Sequence, residues 1–179
     1  MEIRQGRTEY VDDPVTDDVV SRSDHPMVDA FAELWRAKCG GAGAPDRADF
    51  ALEELAPWFG HVIIMDMLEG GADFRYRLVG TAVTQFLDRD YTGRTVLGSN
   101  YSGAREQVLD TFRRPVLEGR PVFRSGHVIW ARDRSWRRYQ SVHCPITAGG
   151  TDVAMTIGVL YFGRDPVPDP RASGRPPRG

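Results

Sequence analysis

The sequence predicts an α+β fold: a five-stranded antiparallel sheet with helices on one face, preceded by a leading helix. Three observations carry this. Apolar stripes at helical spacing come first, in residues 25–41 and again near 52–58. The stretch from Asp73 to Arg94 then switches from a two-residue period to a helical one. Three extended runs close the body, separated by polar and glycine-rich turns. Two strands followed by helices and a three-strand meander make an α+β arrangement rather than a parallel α/β one.

The elements follow in order. Asp24 or His25 caps the leading helix, Pro26 suits its first turn, and Gly40-Gly41 stops it. Val28, Phe31, Leu34 and Trp35 form its apolar stripe. Such a stripe serves equally as a cover for the chain's own core or as a dimerisation seam, with Val28, Phe31 and Trp35 as the interface residues. GGAGAPDR at 40–47 is a turn, after which Asp46 or Asp49 caps a short helix bearing Leu52, Leu55 and Trp58. HVIIMDML at 61–68 is apolar on both faces, as expected of a central strand covered on both sides.

Glu69-Gly70-Gly71 turns the chain into a second strand, in which Phe74, Tyr76 and Leu78 alternate with Arg75, Arg77 and Val79. Alternation sends the two arginines to the outer face of the sheet. Gly80 and Thr81 break the pattern, and Thr81 caps a short helix carrying Val83, Phe86 and Leu87. Asp88 to Gly93 is a polar turn. Asn100 or Ser102 caps a longer helix with Val108, Leu109, Phe112 and Val116, which Pro115 kinks or brings to the end of its regular part and Gly119 terminates. Pro121 to Ala131 and Trp136 to Ile146 then flank Arg132-Asp133-Arg134-Ser135 as a hairpin, and Val153 to Phe162 is the last strand.

Both ends differ from this body. Residues 1–24 form an acidic, weakly hydrophobic arm expected to be disordered. Residues 164–179 form a tail rich in proline and arginine, with the same expectation. Residues 25–163 are the single predicted domain, and the formal charge of −2 over the whole chain of 179 residues is too small for non-specific binding to nucleic acid or acidic membranes. No apolar run approaches membrane-spanning length and no signal-peptide pattern occurs, so the expected location is the cytoplasm.

At this level the residues resemble a known family. The order of elements is similar to that of a PAS sensory domain, and the closer resemblance is to a bacterial subfamily of standalone or short PAS proteins. The residues that carry it are Trp35; Pro45, Arg47 and Asp49; the apolar strand Val62 to Met67; Phe74 to Thr81, FRYRLVGT; and Thr92 to Arg94, TGR. It covers roughly residues 26–163. The resemblance implies a sensory or regulatory module that binds a small ligand or a partner protein in signal transduction, and not an enzyme. The alternative it carries is a ligand-free dimerisation or adaptor module with a dry core. Acting on another chain, it would have a protein partner or a second copy of itself.

Candidate chemistry is sparse. The two cysteines, Cys39 and Cys144, sit in no CxxC pattern, and the four histidines make no HxxxH or HExxH motif, so no metal site is expected. His127 or His143 would serve as a haem ligand only by facing the pocket, and neither cysteine has the Asn-Cys-Arg-Phe setting of flavin-bonding PAS domains. The cofactor is therefore unknown, with haem and flavin unsupported by motif. WARDRSWRRY at 130–139 mixes arginine with aromatics, but without a wider basic field it reads as a strand pair with solvated arginines. The expected pocket is the face of Phe74, Tyr76, Leu78, Phe86 and Leu87, closed by Phe112, Val128, Met155 and Ile157. Such a lining suits a small apolar or amphipathic ligand, and would equally fill a dry core.

Overall fold

The structure is a computed structural model that describes residues 17–41, 43–101, 103–129 and 137–163. Its elements are β1 (Asp17–Val20), α1 (Pro26–Lys38), α2 (Leu52–Leu55), β2 (Val62–Leu68), β3 (Asp73–Val79), α3 (Thr81–Leu87), α4 (Arg105–Glu118), β4 (Val122–His127), β5 (Arg138–Thr147) and β6 (Val153–Phe162). All strand pairs are antiparallel, in the spatial order β1-β4-β5-β6-β2-β3. The α+β class is as the sequence predicts. The sheet has a sixth strand because Asp17–Val20, in the stretch expected to be a disordered arm, pairs with Phe123–Gly126 of β4. Residues 1–16, the hairpin connection 130–136 and the tail 164–179 lie outside the described residues.

The sheet is covered on both faces, and this divides the core in two. Helix α1 packs Met27, Val28, Phe31, Ala32 and Trp35 against Val142, Cys144, Ile146, Met155, Ile157, Val159 and Tyr161. The opposite face carries Ile63, Met65, Phe74, Tyr76, Leu160 and Phe162 under α3 and α4. Strand periodicity makes this possible: successive residues of β5 and β6 feed opposite faces.

Local chemistry explains the starts and stops. The His25 ring accepts a hydrogen bond from Met27 N and Pro26 occupies the first turn of α1. Asp46 caps a 3-10 turn at Arg47–Asp49 and also accepts from the Thr147 hydroxyl and from Gly149 N, so one carboxylate ties the chain after α1 to the end of β5. Those hydrogen bonds, led by that from Ala48 N, hold its carboxyl below the usual carboxylate range. Helix α4 starts at Arg105 without a side-chain cap, not at Asn100, retains Pro115 inside it, and stops at Gly119 with φ 63°, while Ser102, the other expected start, lies outside the described residues. Among the described residues no helix is long and apolar enough to cross a membrane.

Candidate functional site

A cavity of about 50 Å³ lies between the sheet and the α3–α4 side. Its floor is the inward face of four strands: Ile63 of β2, Tyr76 and Val79 of β3, Tyr139, Ser141 and His143 of β5, and Leu160 of β6. Val83 and Leu87 of α3 close one side and Val108, Thr111 and Phe112 of α4 another. Tyr91 and Tyr101 complete it from the segment between the two helices.

Two glycines set this geometry. Gly80 follows β3 directly, and a Cβ there would collide with the backbone carbonyl of Gly60 and stand 2.7 Å from His61 N. The close approach lets Gly60 O accept from Ala82 N at 2.8 Å and Val83 N at 3.3 Å. A backbone carbonyl thus satisfies the open donors of α3, the task expected of Thr81, which is instead the first helical residue. Gly93 supplies the second constraint, with φ 83°. Its N–H donates to Tyr76 O at 2.7 Å, Tyr76 N donates to Arg94 O at 2.9 Å, and Val96 N donates to Phe74 O at 2.8 Å. The Thr92-Gly93-Arg94 turn therefore covers the edge of β3 and carries Tyr91 over Tyr76.

The aromatic groups form a connected wall. The Tyr101 hydroxyl donates to the Tyr76 hydroxyl at 3.0 Å, and the Tyr91 ring stacks on Tyr101 with centroids 5.5 Å apart. Phe112 lies edge-on to Tyr76 at 5.9 Å and to His143 at 5.0 Å. Burial pushes the Tyr76 phenol well above its ordinary value and that of Tyr101 up to about 12. Burial, together with the nearby Arg124 guanidinium, pulls the His143 imidazole down to about 3. These three groups are uncharged at neutral pH.

The expected pocket residues divide. Tyr76, Leu87 and Phe112 line the cavity. Phe74, Phe86 and Val128 pack in the same half of the core, where Phe86 stacks on Phe162 at 3.5 Å, without bordering the cavity. Leu78 does not face it. The ladder pairs Met65 with Tyr76 and Ile64 with Leu78, so Arg77 is an extra residue, a β-bulge. The bulge sends Leu78 outward, 41% exposed, and puts Val79 into the position expected for it. Met155 and Ile157 are also corrected: they lie on the α1 face, and the cavity side of β6 is Leu160 and Phe162.

The expected interface residues Val28, Phe31 and Trp35 are buried under the sheet. The Trp35 indole N–H donates to Pro145 O at 2.8 Å, so the stripe is spent on the chain's own core. Arg75 and Arg77 are on the outer face, where both hold the half-buried-to-buried carboxylate of Asp66, at 3.0 and 2.6 Å. Besides Ile63, Val108, Thr111 and Leu160 from the same elements, the expected pocket lacked Val79, Val83, Tyr91, Tyr101, Tyr139 and Ser141. Alternation along 139–143 was available as a signal for Tyr139, Ser141 and His143; nothing local placed Tyr91 and Tyr101.

The polar groups of the cavity are few. Ser141 Oγ makes no hydrogen bond, so it is not paired with His143 as nucleophile and base, and an imidazole held near 3 is a poor base at neutral pH. Among the described residues no group of three or more histidine, cysteine or acidic side chains is placed to hold a metal ion. Haem and flavin need several hundred Å³, and a cavity of about 50 Å³ does not fit them. Cys144 is buried, which pushes its thiol well up, and Cys39 is half-buried.

No curated protein matches the chain. A family model described as PAS domain matches residues 23–160, from the turn before α1 to the cavity-facing Leu160 of β6, and the chain belongs to that family.

Proposed function

We propose that this PAS domain senses a small ligand held between the sheet and helices α3 and α4, and passes its occupancy to a protein partner. The family is one of sensory and regulatory modules, generally without catalytic activity. The observation that carries the ligand reading is a cavity walled by four tyrosines whose floor holds two buried polar side chains, Ser141 and His143, without hydrogen bonds at Oγ and Nδ1. A core packed only for stability pairs such groups or replaces them with apolar ones. Partner contact falls to the outer surface of β2 and β3, where Leu78 is exposed beside Arg75 and Arg77. Arginine and an exposed apolar side chain suit a protein surface. No catalytic step is assigned, and the chain acts in the cytoplasm.

The small size of the cavity favours a second reading, a ligand-free adaptor that docks by its surface alone. Native mass spectrometry of the purified protein with an absorption spectrum separates the two. A stoichiometric co-purifying mass supports sensing. A clean apo protein that takes up nothing from a metabolite extract supports the adaptor and defeats the sensing reading.

A further inference from the structure

We infer that the ligand of this cavity is a single-ring, uncharged molecule carrying one hydrogen-bonding group, a phenol or aryl amide in chemical class, and that Ser141 and His143 receive that group. The inference rests on the sensing reading above and names its ligand chemistry.

Residues 141 and 143 are two apart on β5 and so share its cavity face. They are 1% and 3% exposed, and neither Ser141 Oγ nor His143 Nδ1 has a hydrogen-bond partner. The site around them is built to hold the imidazole in place. Gly158 lies opposite His143 on β6, and a Cβ at Gly158 would stand 2.9 Å from the ring's Cγ, closer still to Nδ1 and to Val142 O. Phe112 holds the ring edge-on from α4. The Ser141 hydroxyl can both accept a hydrogen bond and donate one, and the neutral His143 ring, its Nδ1 seated against Gly158, forms the polar wall beside it. A ligand hydroxyl or amide matches both demands.

Charge decides against ions. His143 is neutral with its pKa at about 3, the Tyr76 and Tyr101 phenols stay protonated, and the nearby Arg124 guanidinium is ion-paired with Asp110. An anion or cation entering this lining would lose its hydration without a counter-charge. Shape decides for a ring, since Tyr76, Tyr91, Tyr101 and Phe112 present aromatic surfaces around the polar floor. The resting volume of about 50 Å³ takes the polar group, being roughly one or two water molecules at liquid density. The ring needs further room, and α3 is the least buried wall, with only Val83 of its seven residues fully buried and Phe86 and Leu87 half-buried.

The test is calorimetric titration of the full chain at pH 7 with phenol, toluene and benzoate, against wild type and Ser141→Ala. Ser141→Ala removes one oxygen and keeps the fold. Phenol is expected to bind at least tenfold more tightly than toluene or benzoate. Ser141→Ala is expected to cost phenol about tenfold and leave toluene unchanged. Toluene binding as tightly as phenol, or phenol binding indifferent to Ser141→Ala, overturns the hydrogen-bonding assignment while leaving a ligand cavity. Benzoate binding best overturns the uncharged class. If none of the three binds, the single-ring assignment fails, while the sensing reading is still decided by the metabolite-extract experiment.

Discussion

Gly80 rests on Gly60 so closely that a single methyl group at Gly80 would overlap the Gly60 carbonyl and stand 2.7 Å from His61 N. The obstacle is backbone on both sides, so no side chain can move aside. Gly80→Ala is expected to destabilise the protein by about 3 kcal/mol or more, at the upper end for overpacking, because β2 and α3 must separate. Gly150→Ala, with nothing within 4 Å of the new carbon, is the control and is expected to stay within about 0.5 kcal/mol of wild type. Urea unfolding measures both. Equal stabilities would show that the crossing tolerates a Cβ.

The bulge at Arg77 makes neighbouring residues opposites. Leu78→Lys replaces an exposed side chain and is expected to change stability by no more than about 0.5 kcal/mol. Val79→Lys drives an ammonium into the cavity wall and is expected to cost about 3 kcal/mol or to prevent folding. Thermal denaturation of the pair reads the register directly. A costly Leu78→Lys beside a mild Val79→Lys would mean that the strand alternates without a bulge.

These two positions also show how far the sequence could be read. The element order from α1 to β6 and the outward arginines of β3 follow from period, and so does the alternation of β6, whereas β1 lies in a stretch with no such period. Periodicity does not mark a face as pocket or as helix cover, which is why Met155 and Ile157 were expected on the wrong side. A helix that precedes the sheet in sequence gives no sign of which face it will claim. The extra residue at Arg77 is equally silent, since Phe-Arg-Tyr-Arg-Leu-Val reads as unbroken alternation until Ile64 and Met65 impose their pairing. Tyr91 and Tyr101 reach the cavity only through long-range bonds between the 93–96 segment and β3.

Helix α1 offers the clearest test of burial against association. Phe31 is 0% exposed and meets the Trp58 ring edge-on at 5.4 Å. Phe31→Glu places a carboxylate in a fully buried apolar cluster, and is expected to give unfolded or aggregated protein rather than a soluble monomer. Trp35→Phe is gentler: it leaves Pro145 O without its donor and is expected to cost about 1–3 kcal/mol. Size-exclusion chromatography with a urea melt distinguishes the cases. A soluble, stable Phe31→Glu protein that merely changes its oligomeric state would place the stripe at a subunit seam instead.

His143 ties the cavity to pH. Its folded pKa of about 3 lies below the ordinary 6.5, so the unfolded chain binds the proton first. Stability from this group is complete above pH 6.5 and is lost as pH falls towards 3. Between pH 7 and pH 5 the linkage amounts to about 2 kcal/mol for one such proton. Asp46, Glu54 and Asp90 have carboxyls held below their usual range by hydrogen bonds, so their contributions fade at lower pH and leave this window almost clear. Comparison with His143→Gln isolates the contribution of this one imidazole. The wild-type unfolding free energy is expected to fall more steeply than that of His143→Gln across the window. On the intact wild type, the imidazole Cε1–H resonance of His143 is expected to keep its neutral position down to pH 5. Parallel slopes, or a resonance that titrates near 6.5, would mean that His143 meets water and that the cavity floor is open.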